Sequence, residues 1–327
     1  MCYIALEEAF FISELAERQP TQALQHVLRK MKPEISERFK RRLPDFSEQR
    51  LAEMDDAGID VQVLSLTAPG MQVDIDAERA CDNARFANDY LANVISEHPD
   101  RFRGFAALPL QDPAAAVTEL ERAVSRHGLC GALVNDCVSG PGGRYLDAPE
   151  YDDLWSALES LGVPLYLHPG APPADHWRVL EGHPEMYGAA WSWAAETGGH
   201  ALRILFSGVF DRHPRATLIL GHMGEFLPFQ RSRLDSRYAT MVPDTPLRRP
   251  PSAYLGTNIV FTNSGVFSPA VLLGAVLEVG ADALMFSVDY PYESSYEAVA
   301  GFERTTLSEA DREKIAHGNA ERLLGIG

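Results

Sequence analysis

Thr217-Leu218-Ile219-Leu220-Gly221-His222-Met223-Gly224-Glu225 is the stretch on which the reading of this chain turns. The apolar run Thr217–Leu220 has the length and composition of a short buried strand. Gly221 and Gly224 then bracket a tight turn, where backbone has to pass close to something else. Glu225 opens what reads as a helix through Gln230. A histidine at the C-terminal end of a buried strand, with a carboxylate three residues on, suits a general base and its orienting partner. It equally suits a structural histidine bonded at a strand end, and the pentapeptide alone leaves both open.

Working outward, the strand–turn–helix pattern recurs. Tyr3-Ile4-Ala5-Leu6 is a β-type run that ends on Glu7-Glu8, two acids that are costly at a buried strand end unless paired, hydrated or bound to metal. A helix follows Ser47, with Leu51, Met54 and Ala57 on one face and Gly58 as its stop. The next strands are Val61–Leu66, Phe102–Leu108, Cys130–Asn135, Val163–His168, Thr217–Gly221, Asn258–Thr262 and Ala283–Asp289. Helices are expected from about Asp76 to Glu97, from Asp112-Pro113 to about His127, over Pro149–Leu161, Glu196–Phe210 and 268–279, and from Ser308 to Leu324. Eight βα units imply a parallel sheet covered by helices. In about 300 residues they predict one closed (β/α)8 TIM barrel. No GxGxxG follows the first strand, which disfavours an open dinucleotide-binding sheet. No linker interrupts the chain, so residues 1–327 read as one domain. Insertions fall near 11–46 (with a helical piece from Thr21 to Lys32), 170–195 and 236–255.

The bulk composition narrows the partners. The net charge of −17 argues against nucleic acid and anionic membrane as partners. It permits a small anionic substrate, because a local cation can reverse the field in a pocket. No apolar run of about 18 residues is present, and the first residues lack a secretory signal. Cys2, Cys81, Cys130 and Cys137 show no CxxC spacing, as expected of reduced thiols in a cytosolic protein.

In a parallel barrel the strand C-termini converge on one mouth. Glu7, His168, His222 and Asp289 would meet there, after the first, fifth, sixth and eighth strands. Two acids and two imidazoles at one rim form a set that can hold a divalent ion.

Several stretches resemble one family. They are Leu6-Glu7-Glu8-Ala9-Phe10, Tyr166-Leu167-His168-Pro169, Gly208-Val209-Phe210-Asp211-Arg212-His213-Pro214, Gly221–Glu225 and Phe286-Ser287-Val288-Asp289-Tyr290-Pro291-Tyr292-Glu293. Together they are similar to the non-oxidative decarboxylases of the amidohydrolase superfamily, which act on 2,3-dihydroxybenzoate, γ-resorcylate, salicylate and aminocarboxymuconate semialdehyde. Phe105–Leu108 and Gly131–Asp136 resemble the hydroxybenzoate branch. The resemblance spans nearly the whole chain and is weak in the three insertions. It implies a carbon–carbon lyase acting on an aromatic, ortho-hydroxybenzoate-like acid. One divalent ion (Zn²⁺, or Mn²⁺ or Mg²⁺) would be held by Glu7, His168 and Asp289. Asp289, His222 and Glu225 would be the catalytic groups. Many relatives carry a histidine where this chain has Ala9, so a nitrogen ligand is absent, as in the dihydroxybenzoate and salicylate branch.

The resemblance also implies a homodimer or homotetramer, for which 236–255, with Pro243, Pro246, Pro250 and Pro251, reads as an arm. Arg233 would steer a substrate carboxylate, its alternative being a surface or interface ion pair. Trp177, Trp191 and Trp193 would wall the pocket and pack on the substrate ring, or else cover the barrel mouth or an interface. The competing activity is a lactone or amide hydrolase of the same superfamily. Such relatives usually show His-x-His after strand one, often with a bridging lysine after strand four, where this chain has Glu7-Glu8-Ala9 and Asn135-Asp136. A non-catalytic binding protein on a degenerate barrel is a third reading, opposed by the intact set of four.

Overall fold

Strand residues alternate between two layers of apolar packing, and this alternation builds the molecule. The structure, a computed structural model, describes all residues except 20–30, 74–75, 139–142, 171–177, 245 and 327. The strands are β1 (Ile4–Phe10), β2 (Val61–Leu66), β3 (in two pieces, Phe102–Gly104 and Ala106–Ala107), β4 (Ala132–Asn135), β5 (Leu165–His168), β6 (Leu218–Leu220), β7 (Ile259–Thr262) and β8 (Leu284–Met285). Each pairs in parallel with the next. Leu6 closes the circle, donating its N–H to the Phe286 carbonyl at 3.2 Å and bridging to Ser287. The inner layer is Ile4, Leu6, Val63, Phe105, Leu133, Tyr166, Ile219, Val260 and Met285. Their neighbours, including Ala5, Leu64, Val134, Leu165, Leu167, Leu218, Leu220, Phe261 and Phe286, face the surrounding helices. Period-two side chains on every strand and a filled interior are the marks of a (β/α)8 barrel.

Several helices start and stop where their caps predict. Asp76 caps Ala77–Glu97 through the Arg79 N–H, and Asp112 caps Pro113–His127 through the Ala115 N–H. Gly58 ends Glu48–Ala57 at φ 76°. Ser47 precedes that helix without bonding to it. Asp45 does the work instead, accepting from the Arg50 N–H at 2.7 Å.

Other boundaries differ from expectation. The helix expected over 196–210 is two, Ser192–Phe206 and Val209–Arg212, separated at Gly208 with φ 75°. The C-terminal helix contains a π turn at Lys314–Gly318. β1 runs past Leu6 to Phe10, with a register shift between Ala5 and Glu8. The helix expected from Glu225 is absent, and the regular helix begins only at Arg231. Most of the helical piece expected over Thr21–Lys32 lies outside the described residues, as does Trp177. No helix among the described residues is long and apolar enough to cross a membrane.

Candidate metal centre

The backbone at the barrel mouth is left-handed at four of the candidate site residues. Glu7 (φ 63°), His222 (48°), Glu225 (50°) and Asp289 (77°) all have positive φ, a conformation that costs a non-glycine residue roughly 1–2 kcal/mol. Such strain persists where the surroundings over-determine it, and it concentrates at functional sites. At Glu7 the consequence is specific. Leu6 faces the barrel interior, so strict alternation would turn Glu7 outward and Glu8 inward. The bulge reverses this. Glu7 joins the mouth, and Glu8 goes behind the wall, where it accepts from the Val288 N–H at 3.0 Å and the Gln62 amide at 3.2 Å. Burial raises the Glu8 carboxyl to about 8, against the opposing pull of that N–H and of Arg50.

The second left-handed feature is the turn from His222 to Phe226. Every residue in it has positive φ, with Met223 at 59°, Gly224 at 66° and Phe226 at 64°. This turn replaces the expected helix start. It brings the Glu225 Oε1 to 2.8 Å from the His222 Nδ1. The two glycines have the tight surroundings their spacing suggested. A Cβ on Gly221 would stand 2.2 Å from the Glu7 Oε2, and one on Gly224 would stand 2.2 Å from the Phe261 ring.

Ligand-capable atoms of Glu7, His168, His222 and Asp289 all lie within 4.8 Å of one another. The Glu7 Oε1 is 3.3 Å from the His168 Nε2 and 3.2 Å from the His222 Nε2, and the latter is 3.8 Å from the Asp289 Oδ2. Each histidine turns its Nε2 inward because its Nδ1 is engaged elsewhere. His168 Nδ1 donates toward the Asn135 Oδ1 (2.9 Å) and the Pro169 carbonyl (2.8 Å), and His222 Nδ1 toward Glu225. An outer partner on one ring nitrogen is what fixes an imidazole as a ligand through the other. Glu7 is 2% exposed; its Oε2 accepts from the Tyr166 hydroxyl, but its buried Oε1 accepts no hydrogen bond. An orphaned carboxylate oxygen among inward-facing nitrogens and a second carboxylate fits a divalent cation, in donor type and number.

The electrostatics agree. Burial, reinforced by Asp289 and opposed by His222, pushes Glu7 up to about 7. Burial, together with His222, holds His168 down at about 4, so it stays neutral and ligand-ready. Burial works against a charged His222, but the carboxylates of Glu7 and Glu225 outweigh it and hold that imidazole well above its usual range.

The structure therefore assembles Glu7, His168, His222, Asp289 and Glu225, and it places His222 within the ligand-capable group. Arg233 is not among them. It is exposed on the helix Arg231–Tyr238 and lines a groove of about 620 Å³ with Leu202, Phe206 and Tyr238, which shares no residue with the cluster. Trp191 is half-exposed just before the helix Ser192–Phe206, and Trp193 lies near Gly188. That helix reaches the site elsewhere: a Cβ on Gly198 would stand 3.3 Å from the Glu225 Cβ.

Supporting residues went unread in the sequence. Tyr166 lies two residues before His168 on β5, so period two alone puts both on the inner face. Asn135 ends β4 directly opposite His168 in the register. Asp136 (φ 60°) accepts from the His200 Nδ1 at 2.8 Å, a buried pair that pins the segment after β4.

A family model described as amidohydrolase matches residues 24–326. The γ-resorcylate decarboxylase of Rhizobium radiobacter is 43% identical, over 99% of this chain and 98% of that protein. Two solved structures superpose with a TM-score of 0.93. One is a 2,6-dihydroxybenzoate decarboxylase complexed with 2,6-dihydroxybenzoate (42% identity, all of both chains). The other is a dihydroxybenzoic acid decarboxylase from Polaromonas sp. with bound manganese and the inhibitor 2-nitroresorcinol (41% identity, 99% and 97% of the two chains).

Proposed function

The chain belongs to the amidohydrolase family, and we propose that within it this protein is a metal-dependent, non-oxidative decarboxylase of an ortho-hydroxybenzoate-like acid. The observation that carries the reading is the cluster of Glu7, His168, His222 and Asp289, with both imidazoles turned inward by outer partners. Glu7, His168 and Asp289 hold the ion. Of Zn²⁺, Mn²⁺ and Mg²⁺, the manganese of the Polaromonas structure supports Mn²⁺. When bound, the ion neutralises the substrate's carboxylate and ortho oxygen and stabilises charge that develops beside them.

This chain's residues then manage protons. Asp289 gives one to the ring carbon that bears the carboxylate, through electrons of the ring. The bond to the carboxylate breaks, its electron pair returns to the ring, and CO₂ leaves as aromaticity is restored. His222, oriented by Glu225, polarises the phenol and returns a proton to Asp289. General acid–base action of this kind contributes roughly 10²–10⁴-fold. The hydrolase reading has no lysine to draw on at the end of β4, where Asn135 and Asp136 stand instead.

Residues 1–327 form one catalytic domain with the three insertions. The protein is cytosolic, in keeping with four free cysteines, and it assembles as a homodimer or homotetramer. Arg233 serves the substrate carboxylate or an intersubunit ion pair. Trp191 and Trp193 pack on the substrate ring, so an aromatic hydroxy acid is expected to quench tryptophan fluorescence only when metal is present. Quenching without metal would return them to structure.

CO₂ release from a panel of hydroxybenzoates, run beside metal analysis, tests the activity. Release from 2,6-dihydroxybenzoate that stops on chelation is expected, and no release from any member of the panel refutes it. His222→Asn is expected to retain the ion and lose at least about 100-fold in kcat. Loss of the ion with the activity would make His222 a ligand.

A further inference from the structure

Behind the barrel wall, away from the mouth, lies a buried polar chain that the proposed reaction does not use. Glu8 is fully buried. Its Oε1 accepts from the Val288 N–H at 3.0 Å, and its Oε2 accepts from the Gln62 side-chain amide at 3.2 Å. The Gln62 Oε1 in turn accepts from the Arg50 Nη1 at 3.1 Å. Arg50, also fully buried, donates Nη2 to the Ala9 carbonyl at 2.7 Å and Nε to the Asp45 carbonyl at 2.8 Å, and its guanidinium lies 4.4 Å from the centre of the Tyr290 ring. Buried charges are retained where they are paired and fully bonded, since removing one partner leaves the other uncompensated.

What matters is where the chain attaches. At its Glu8 end it holds the Val288 N–H, and at its Arg50 end it holds the Ala9 carbonyl and touches the Tyr290 ring. Each end thus joins the residues that follow the left-handed Glu7, which are Glu8 and Ala9, to the residues that flank the left-handed Asp289, which are Val288 and Tyr290. Glu7 and Asp289 sit on β1 and just after β8, the first and last strands of the barrel. Their separation is set where the barrel closes, by the bonds of Leu6 to Phe286, Ser287 to Leu6 and Ala9 to Tyr290, and this chain adds the Glu8 and Arg50 contacts beside them.

We propose that Glu8, with Gln62 and Arg50, is a positioning assembly that sets the distance between Glu7 and Asp289 and thereby the affinity of the metal site. The inference rests on the metal-dependent reading above. It assigns a role to residues that touch neither ion nor substrate.

The test is retention of Mn²⁺ by the loaded protein against a graded chelator, with released Mn²⁺ followed by its electron paramagnetic resonance signal. Thermal unfolding is measured on the same samples. Glu8→Gln keeps an acceptor for the Val288 N–H but sets an amide NH₂ against the Gln62 amide that donates to Glu8, whereas Glu8→Ala loses both contacts. The dissociation constant is expected to rise in the order wild type, Glu8→Gln, Glu8→Ala, reaching about 10–100-fold, the range seen when outer-shell partners are removed. If Glu8→Ala does not fold, Gln62→Leu, which cuts the chain between Glu8 and Arg50, takes its place with the same expectation. Folded variants that hold Mn²⁺ as tightly as wild type, whatever their melting temperature, overturn the proposal. A purely structural role would lower the melting temperature and leave the dissociation constant of the folded protein unmoved. Wild-type protein that holds no Mn²⁺ overturns this inference and the metal reading together. Wild-type protein that holds Mn²⁺ but releases no CO₂ removes the decarboxylase reading alone.

Discussion

Gly221 and Glu7 are packed closely in the site, and one methyl group tests the fit. Gly221 has φ −72° and ψ −172°, a conformation open to any residue, so alanine there carries no backbone penalty. Its Cβ would nevertheless fall 2.2 Å from the Glu7 Oε2, and the carboxylate, also bonded to Tyr166, has to move. Gly221→Ala is therefore expected to keep the fold and weaken divalent-ion binding by about tenfold or more, read by isothermal titration with Mn²⁺. An unchanged affinity would show that Glu7 is not held where the ion needs it. The tight approach was legible in the glycine spacing, and so were the four rim residues. What the glycine touched was not, because Glu7 is 214 positions away in the chain and reaches the mouth only through a bulge. Tyr166 was within reach of the same reading, as the inward neighbour of His168. Asn135 needed the β4–β5 register, which no single strand contains.

At the scale of the element, the turn from His222 to Phe226 is where sequence reasoning failed, and the failure has a physical cause. Met, Glu and Phe carry no signature of positive φ, and Glu225-Phe226-Leu227 looks like an ordinary helix start. The left-handed turn is imposed from outside, by Phe261 against Gly224 on one side and by the helix Ser192–Phe206 against Glu225 on the other. Local preference and tertiary packing disagree here, which is expected at a functional site and uncommon elsewhere. Val61–Leu66 and the capped helices Ala77–Glu97 and Pro113–His127, where both agree, were legible almost to the residue, whereas the last strand, expected over 283–289, is only Leu284–Met285. Gly224→Ala probes the imposed geometry. With φ 66° and a Cβ 2.2 Å from the Phe261 ring, it meets strain and overpacking together. A loss of about 1–3 kcal/mol is expected from the overpacking alone, measured by urea unfolding of the metal-loaded protein. Activity is expected to fall with it, because the turn sets the His222–Glu225 bond. Wild-type stability would mean that the turn is softer than the packing around it suggests.

For the molecule as a whole, the mouth gathers titratable groups whose protonation and metal binding exclude one another. The folded-state value of Glu7 is raised, by burial first, from 4.5 to about 7. A group raised in this way contributes stability that is fully present below about 4.5 and is lost as the pH rises through about 7. His222, raised well above 6.5, contributes in the same sense at higher pH. His168, lowered to about 4, works the other way: its contribution is present above 6.5 and lost as the pH falls through 4. Between pH 5.5 and 8, His168 changes little in the folded state, while Glu7 passes from protonated to charged. The metal-free fold therefore gives up the Glu7 contribution across that window. With Glu7 as a ligand, the metal-loaded fold would gain, because the ion would take the carboxylate that protons no longer occupy, and bound ligand stabilises by RT ln(1 + [L]/Kd). The gap in Tm between metal-loaded and chelated protein is thus expected to widen from pH 5.5 to pH 8 at fixed Mn²⁺. Titrating Mn²⁺ at pH 6 in buffers of different ionisation enthalpy is expected to report release of about one proton or more. Part of that release comes from His222, whose raised value depends on carboxylates that the ion would neutralise. A gap that stays constant or narrows with pH would mean that the ion does not compete with the Glu7 proton, and Glu7 would then drop out of the ligand set.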